Sequence, residues 1–190
     1  KLQNFLKLIV DVSERQLQSL ASLKSTNEVL AVLKFPVFGT PDFRQLPKIS
    51  LYLDHISDPG NYGTIVRTAD WFGINTIFCS ANCADRFNSK VVQASMGSVA
   101  RINILLVEYS DLVKEYNYHN IVGADLSGTH FKSFTPDPST IICLGNEANG
   151  LSDDVRSICS QFIHIPSYSL GAESLNVAIS AGILMSEYCK

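Results

Sequence analysis

Apolar residues fall in short runs, and polar, Gly- and Pro-rich stretches separate them. Ile49–Asp54, Thr76–Cys79, Ile102–Val107, Asn120–Ala124, Thr140–Leu144 and Gln161–Ile165 read as strands of four to six residues bounded by turn formers. The segments between them carry helical spacing. Asn61 can cap a helix whose apolar positions Ile65, Val66, Ala69 and Phe72 share a face and which Gly73 stops. Ser89–Met96 and Ser110–Tyr116 predict two more helices. The last helix is predicted to start from a Ser174 cap and to bury Leu175, Ala178, Ile179, Gly182 and Ile183. Alternation of this kind predicts an α/β fold, a mostly parallel sheet with helices on both faces. Ligands of such sheets bind beyond the carboxyl ends of the strands.

The front of the chain has a different pattern. Phe5, Leu8 and Ile9 sit at helical spacing, and a second helix is expected from Ser13 to Leu23. Val29–Phe35 is strand-like and ends at Pro36. Residues 37–48, with Gly39, Pro41 and Pro47, have the composition of a linker. The expected organisation is therefore a partial α/β segment over 1–36, a linker over 37–48, and the main domain over 49–190. The chain opens at Lys1 rather than Met, as a fragment would.

Composition removes several classes of protein. With 46% apolar and 17% charged residues, long disorder is not expected. Apolar runs such as Ile141–Leu144 and Ile102–Val107 are far short of the ~20 residues of a membrane span. Five cysteines, an odd number with no CxxC pair, suit a reduced cytoplasmic compartment better than a disulfide framework. Four scattered histidines complete no ligand set, so no metal is expected. The net charge of −3 argues mildly against a nucleic-acid binder. Its distribution changes that picture, because residues 1–48 carry seven basic and four acidic residues and residues 49–190 carry eight and fourteen. Attraction for a polyanion would come more from the front than from the back.

Three polar stretches follow predicted strand ends. In Asp54–Asp70, Pro59 and Gly60 make a turn, Asn61 and Gly63 permit close approach of a ligand, and Arg67 lies six residues into the helix. That is about 1.7 turns from Asn61, read as projecting the two near one another. An Arg beside a Gly-lined helix start suits a phosphate or ribose oxygen, although, for this stretch alone, an exposed Arg paired with Asp70 or Asp58 is the plainer account. In Thr140–Ser152 a buried strand runs into Gly145, Asn146 and Glu147, without GxGxxG or a Walker lysine. In Ile163–Ala181 a Ser174 cap leaves Asn176 unexplained, a poor helix former beside apolar neighbours.

Taken in order, the three stretches resemble the motifs of the SpoU/TrmH class of SPOUT RNA methyltransferases. Residues 54–73 match the first motif almost throughout, Leu144–Leu151 match the second (LGNExxGL), and Ile165-Pro166 with Ser174–Ile183 match the third. The resemblance covers about residues 51–188. It departs at Ser167, where the family carries Met, and in a loop to Ser174 that is one residue longer. The front segment resembles the tail of an L30e-like RNA-binding domain.

The resemblance implies methyl transfer from S-adenosylmethionine to a ribose 2′-hydroxyl of structured RNA, rRNA before tRNA. It also implies a C-terminal trefoil knot and a cytoplasmic homodimer. Carried onto this chain, it assigns catalysis to Arg67, Asn61, Glu147, Ser174 and Asn176. It assigns the cofactor to Ala124, Leu126, Leu144, Gly145, Asn146, Gly150, Ile165 and Leu175, largely through backbone groups. Arg67 would bind a phosphate and stabilise the developing alkoxide rather than abstract a proton, since a guanidinium does not deprotonate in proteins. Asp54 and Asp58 would stabilise the loop. Two other readings stay open at this point, a catalytically silent RNA-binding paralogue and a SPOUT base methyltransferase.

Overall fold

The computed structural model describes residues 9–21, 28–34, 47–115, 120–168, 171 and 173–189. The chain divides into two units, residues 1–36 and 37–190. In the first unit, helix α1 spans Glu14–Leu20. It opens on a capping box in which the Ser13 hydroxyl accepts from the Gln16 amide and the Gln16 side chain accepts from the Ser13 amide. It ends at Leu20 with Ala21 extended, short of the expected Leu23; residues 22 and 23 lie outside the described residues, as do Phe5 and Leu8. The strand expected over 29–35 does not form within the described residues 28–34. Val29, Val32 and Leu33 are exposed there. Strand propensity is realised by pairing, and no described strand pairs with this segment. The expected linker is described only at residues 47–48.

The second unit is built on six strands: β1 (Ile49–Leu53), β2 (Thr76–Cys79), β3 (Asn103–Leu106), β4 (Ile121–His130), β5 (Thr140–Leu144) and β6 (Gln161–His164). All neighbouring pairs are parallel, in the order β3-β2-β1-β5-β4-β6. β1 and β5 are buried throughout, as expected of central parallel strands covered on both faces. Helices α2 (Pro59–Trp71), α3 (Ser89–Ser95) and α6 (Val177–Tyr188) contribute to one core, with Leu51, Leu53, Ile77, Ile142 and Leu144. Helices α4 (Tyr109–Glu115) and α5 (Asp153–Ile158) contribute to the other, with Tyr52, Phe78, Ile141 and Cys143. On α2, full burial of Ile65 and Val66 is worth roughly 1.5–3 kcal/mol per side chain.

Three local expectations are corrected. The α2 cap is Asp58, whose carboxylate accepts from the Asn61 amide at 2.7 Å, with Pro59 in the first turn. The α6 cap is Asn176, not Ser174. Its side-chain oxygen accepts from the amides of Ala178 and Ile179, so the helix begins three residues beyond Ser174. The face docked on the core is Val177, Ala178, Ala181, Leu184, Met185 and Tyr188, with Leu175 ahead of the helix and Ile179 on it about half exposed (47% and 53%). Helix α5 and the long extension of β4 beyond Ala124 were not predicted.

The five cysteines are free. Burial pushes the Cys79 thiol up to about 11 and raises that of Cys83, so both act as packing groups rather than nucleophiles.

Two carboxylates with depressed pKa values tie elements together. Hydrogen bonds from Arg101 (Nε at 2.9 Å) hold the Asp70 carboxyl below its ordinary range, with help from Ser98. Burial works to raise Asp125, but hydrogen bonds from Arg156 and Ser127 outweigh it and lower the value. A depressed carboxylate contributes stability that is complete above the unfolded value of about 3.9 and is lost as pH falls through the folded one. Acidification below about pH 4 is therefore expected to lower the unfolding temperature of the native chain more than that of a D70N/D125N variant. Parallel melting curves against pH check this.

Candidate active site

The strand order reverses between β1 and β5. From β1 the chain builds outward through β2 and β3, and β4 and β6 lie on the other side of β5. This is a topological switch point, where the loops beyond neighbouring strands splay apart and open a crevice. The loops leaving β1 and β5 carry the first two polar stretches. Asp54, almost fully buried at the end of β1, accepts from the Ser152 amide at 2.7 Å and so anchors the second loop to the first.

The loop after β5 is closed on itself. Asn146 and Gly150 exchange two backbone hydrogen bonds of 2.9 Å, and the Asn146 side-chain oxygen accepts from the Ala148 amide. The Asn146 side-chain nitrogen donates to the His55 carbonyl at 2.8 Å. Gly145 lies under this closure, where a Cβ would come within 2.2 Å of the Gly150 carbonyl carbon. Bare backbone is therefore required at that strand end. His55 has φ +56, a left-handed conformation uncommon for a residue with a side chain, and the Ser80 hydroxyl accepts from its amide. Sequence reasoning passed over His55; nothing in a single sequence marks a residue whose role is carried by its carbonyl.

Asn61, Glu147 and Asn176 form one directed chain of hydrogen bonds. The Asn176 oxygen takes two amides at the start of α6, which turns its nitrogen to donate to the Asn61 side-chain oxygen at 3.0 Å. The Asn61 nitrogen then donates to Glu147 Oε1 at 2.7 Å. Residues 86 and 115 positions distant from Asn61 are joined in this way. Because Asp58 caps α2, the Asn61 side chain is free to do this. Because Asn176 caps α6, its orientation is set by the helix. Only the Oε1 oxygen of Glu147 is engaged by Asn61.

Arg67 is exposed on α2 and stands outside this chain. At about 100° per residue, six residues place it some 120° around the helix from Asn61, so the 1.7-turn spacing does not by itself put the two side chains on one face. Neither surface ion pair weighed for it forms, because Asp70 is held by Arg101 and Asp58 caps the helix. Among the described residues Arg67 has no ion-pair partner. Ser174 is exposed and outside the cap.

The residues assigned to a cofactor occupy adjoining strand ends. Leu144 closes β5 and leads into Gly145, Asn146 and Gly150; Ala124 of β4 pairs with Ile163 of β6, and Leu126 lies two residues on; Ile165 follows β6. Leu175 lies just before α6. Ser167 and Tyr168 are exposed, while residues 169, 170 and 172 of the longer loop lie outside the described set.

Residues 48–186 match the SpoU rRNA Methylase family. The chain belongs to that family. The SpoU match takes in the whole sheet and all three polar stretches. The chain is 28% identical to the 23S rRNA (guanosine(2553)-2′-O)-methyltransferase RlmP of Bacillus subtilis, over 92% of this chain and 69% of that protein. It is 31% identical to the 23S rRNA (guanosine-2′-O-)-methyltransferase RlmB of Neisseria meningitidis, over 74% of this chain and 58% of that protein. A TrmH-family structure from Porphyromonas gingivalis superposes with a TM-score of 0.80 at 35% identity, over 90% of this chain and 69% of that one. The SpoU methyltransferase AviRb from Streptomyces viridochromogenes, solved in complex with AdoMet, superposes with a TM-score of 0.69 at 29% identity, over 74% of this chain and 56% of that one. The chain thus spans roughly six- to seven-tenths of the length of these proteins.

Proposed function

We propose that this SpoU-family chain directs methyl transfer from S-adenosylmethionine to a ribose 2′-hydroxyl of structured RNA, with rRNA the first substrate to test. The observation that carries the proposal is the Asn176–Asn61–Glu147 chain at the switch point, joined through Asn61 on α2, the helix that also holds an unengaged Arg67. RlmP and RlmB, by name 23S rRNA 2′-O-methyltransferases, support the choice of substrate.

The residues present fit the cofactor. The cradle that excludes a Cβ at Gly145 offers backbone groups to a nucleoside, and the exposed Leu126 offers it an apolar wall. Glu147 supplies the negative charge that a sulfonium and an ammonium favour. When bound, S-adenosylmethionine supplies a methyl group already activated on sulfur.

The protein has then to place a hydroxyl and ease the loss of its proton. Glu147, fixed through Oε1, has its second oxygen available to accept the 2′-hydroxyl and aim it. Arg67 binds an RNA phosphate and stabilises the negative charge that develops on the ribose oxygen as the hydroxyl proton is drawn toward the second Glu147 oxygen. Asn61 and Asn176 hold Glu147 and tie its position to α6.

A homodimer and a threaded C-terminal knot are part of this proposal. Helix α6 is apolar around most of its circumference, with Ile179 exposed, and Trp71 on α2 is 85% exposed. A second copy covering these faces would bury more than ~1,000 Å² in total. We also propose that residues 1–36 are the remnant of an L30e-like RNA-binding domain and that the protein acts in the cytoplasm; the excess of basic residues over 1–48 supports the first point.

Methylation of rRNA from cells lacking the gene, with ribose methylation mapped at nucleotide resolution, tests the reaction. One new 2′-O-methyl dependent on S-adenosylmethionine is expected. Cofactor binding without transfer would favour a silent paralogue, and a methylated base would overturn the ribose assignment. Sedimentation at micromolar concentration is expected to show a dimer.

A further inference from the structure

The ladder between β4 and β6 is interrupted at the strand end where a cofactor is proposed to sit. Ala124 and Thr129 both stand opposite Ile163, so residues 125–128 form a four-residue excursion from the ladder, a bulge within β4. Two attachments pin it. Gly128 presses on the backbone of Phe162 and Ile163 so closely that a Cβ would come within 2.5 Å, and its carbonyl accepts from His164 Nδ1 at 2.7 Å. The other attachment is electrostatic. One oxygen of Asp125 accepts from the Ser127 amide at 2.9 Å and from the Ser127 hydroxyl, while the other accepts from Arg156 on α5. The Arg156 guanidinium lies 4.8 Å over the Phe162 ring of β6. Carboxylate, guanidinium and ring thus join the excursion, α5 and β6. Beyond Asp125 the excursion presents Leu126, 69% exposed.

We propose that Asp125 and Arg156 are positioning residues that set the affinity for S-adenosylmethionine without touching it. They hold the 125–128 excursion in the conformation that presents Leu126 and the adjacent backbone to the nucleoside. This inference rests on the functional reading above. An excursion fixed beforehand loses little conformational freedom on binding, whereas a loosened one must be ordered by the ligand and binds it more weakly. The pair is well suited to the task. Its side chains are 18% and 35% exposed, and an Arg stacked on a ring while pairing with a carboxylate keeps a planar geometry that Lys cannot reproduce. No short-range pattern announces it, because the partners lie 31 residues apart.

Calorimetry with S-adenosylmethionine on the full chain tests the proposal, using Arg156→Met, Asp125→Asn and Arg156→Lys. Unfolding temperature and hydrogen exchange of segment 125–128 are measured on each variant without cofactor. The first two substitutions are expected to weaken binding about tenfold, to speed exchange of the segment, and to leave the unfolding temperature within a few degrees. Lys is expected to recover part of the affinity. Affinities within twofold of the native chain in all three variants would overturn the inference alone. So would losses matched by a collapse of the unfolding temperature in all three, which would assign the pair to bulk stability. Failure of the native chain to bind S-adenosylmethionine would overturn the functional reading, and this inference with it.

Discussion

Arg67→Ala is expected to lower methyl transfer by about 10²-fold or more while leaving S-adenosylmethionine affinity within a few-fold. The magnitude is that of losing one preorganised donor at a site of developing charge. The split between transfer and binding follows from charge, since a guanidinium repels a sulfonium and attracts a phosphate or an alkoxide. The alternative, a surface ion pair worth under ~1 kcal/mol, lacks its partners here, because Asp70 is engaged by Arg101 and Asp58 by the start of α2. Arg67→Lys is not expected to restore transfer, because a point charge cannot be shared between phosphate and ribose oxygens as a planar fork can. Single-turnover transfer beside cofactor calorimetry measures both arms. Near-normal transfer by the Ala variant would refute the role given to Arg67.

Gly145→Ala is expected to cost at least tenfold in S-adenosylmethionine affinity, and transfer with it, at a modest loss of stability. The added Cβ would stand 2.2 Å from the Gly150 carbonyl carbon and 2.3 Å from the Leu151 nitrogen, both backbone atoms that no rotamer change can move aside. Relief requires opening the Asn146–Gly150 closure, which displaces Glu147 from Asn61 and the cradle from the strand end. Overpacking of this kind costs about 1–3 kcal/mol, or several degrees in unfolding temperature for a domain of this size. Calorimetry and melting on the same preparation separate the two effects. A stable Ala variant with unchanged affinity would show that the closure is not part of the site.

The strands and the sheet class were legible because their signals are local. A run such as Ile141–Leu144 has no polar face, so it can only lie between two covered surfaces, and β5 does. Three polar stretches following strand ends were sufficient to assign the family, because each keeps its residue types at fixed spacing over a few turns of chain. Asn176 was singled out for the same reason, as a polar residue in an apolar setting.

What the sequence could not determine was which of several competent groups takes each bond. Asn61 and Ser174 are both good helix caps by type, yet Asp58 and Asn176 take those roles. That exchange leaves Asn61 free for Glu147 and shows why Asn176 is polar. The choice depends on partners 86 and 115 residues away, which enter no local pattern. Val29–Leu33 shows the converse: its strand propensity finds no neighbour among the described residues and forms no strand. Local spacing determined the fold class and the candidate chemistry of this chain. The direction of each hydrogen bond, and with it the geometry of the site, was decided by where the parallel sheet brings distant strand ends together.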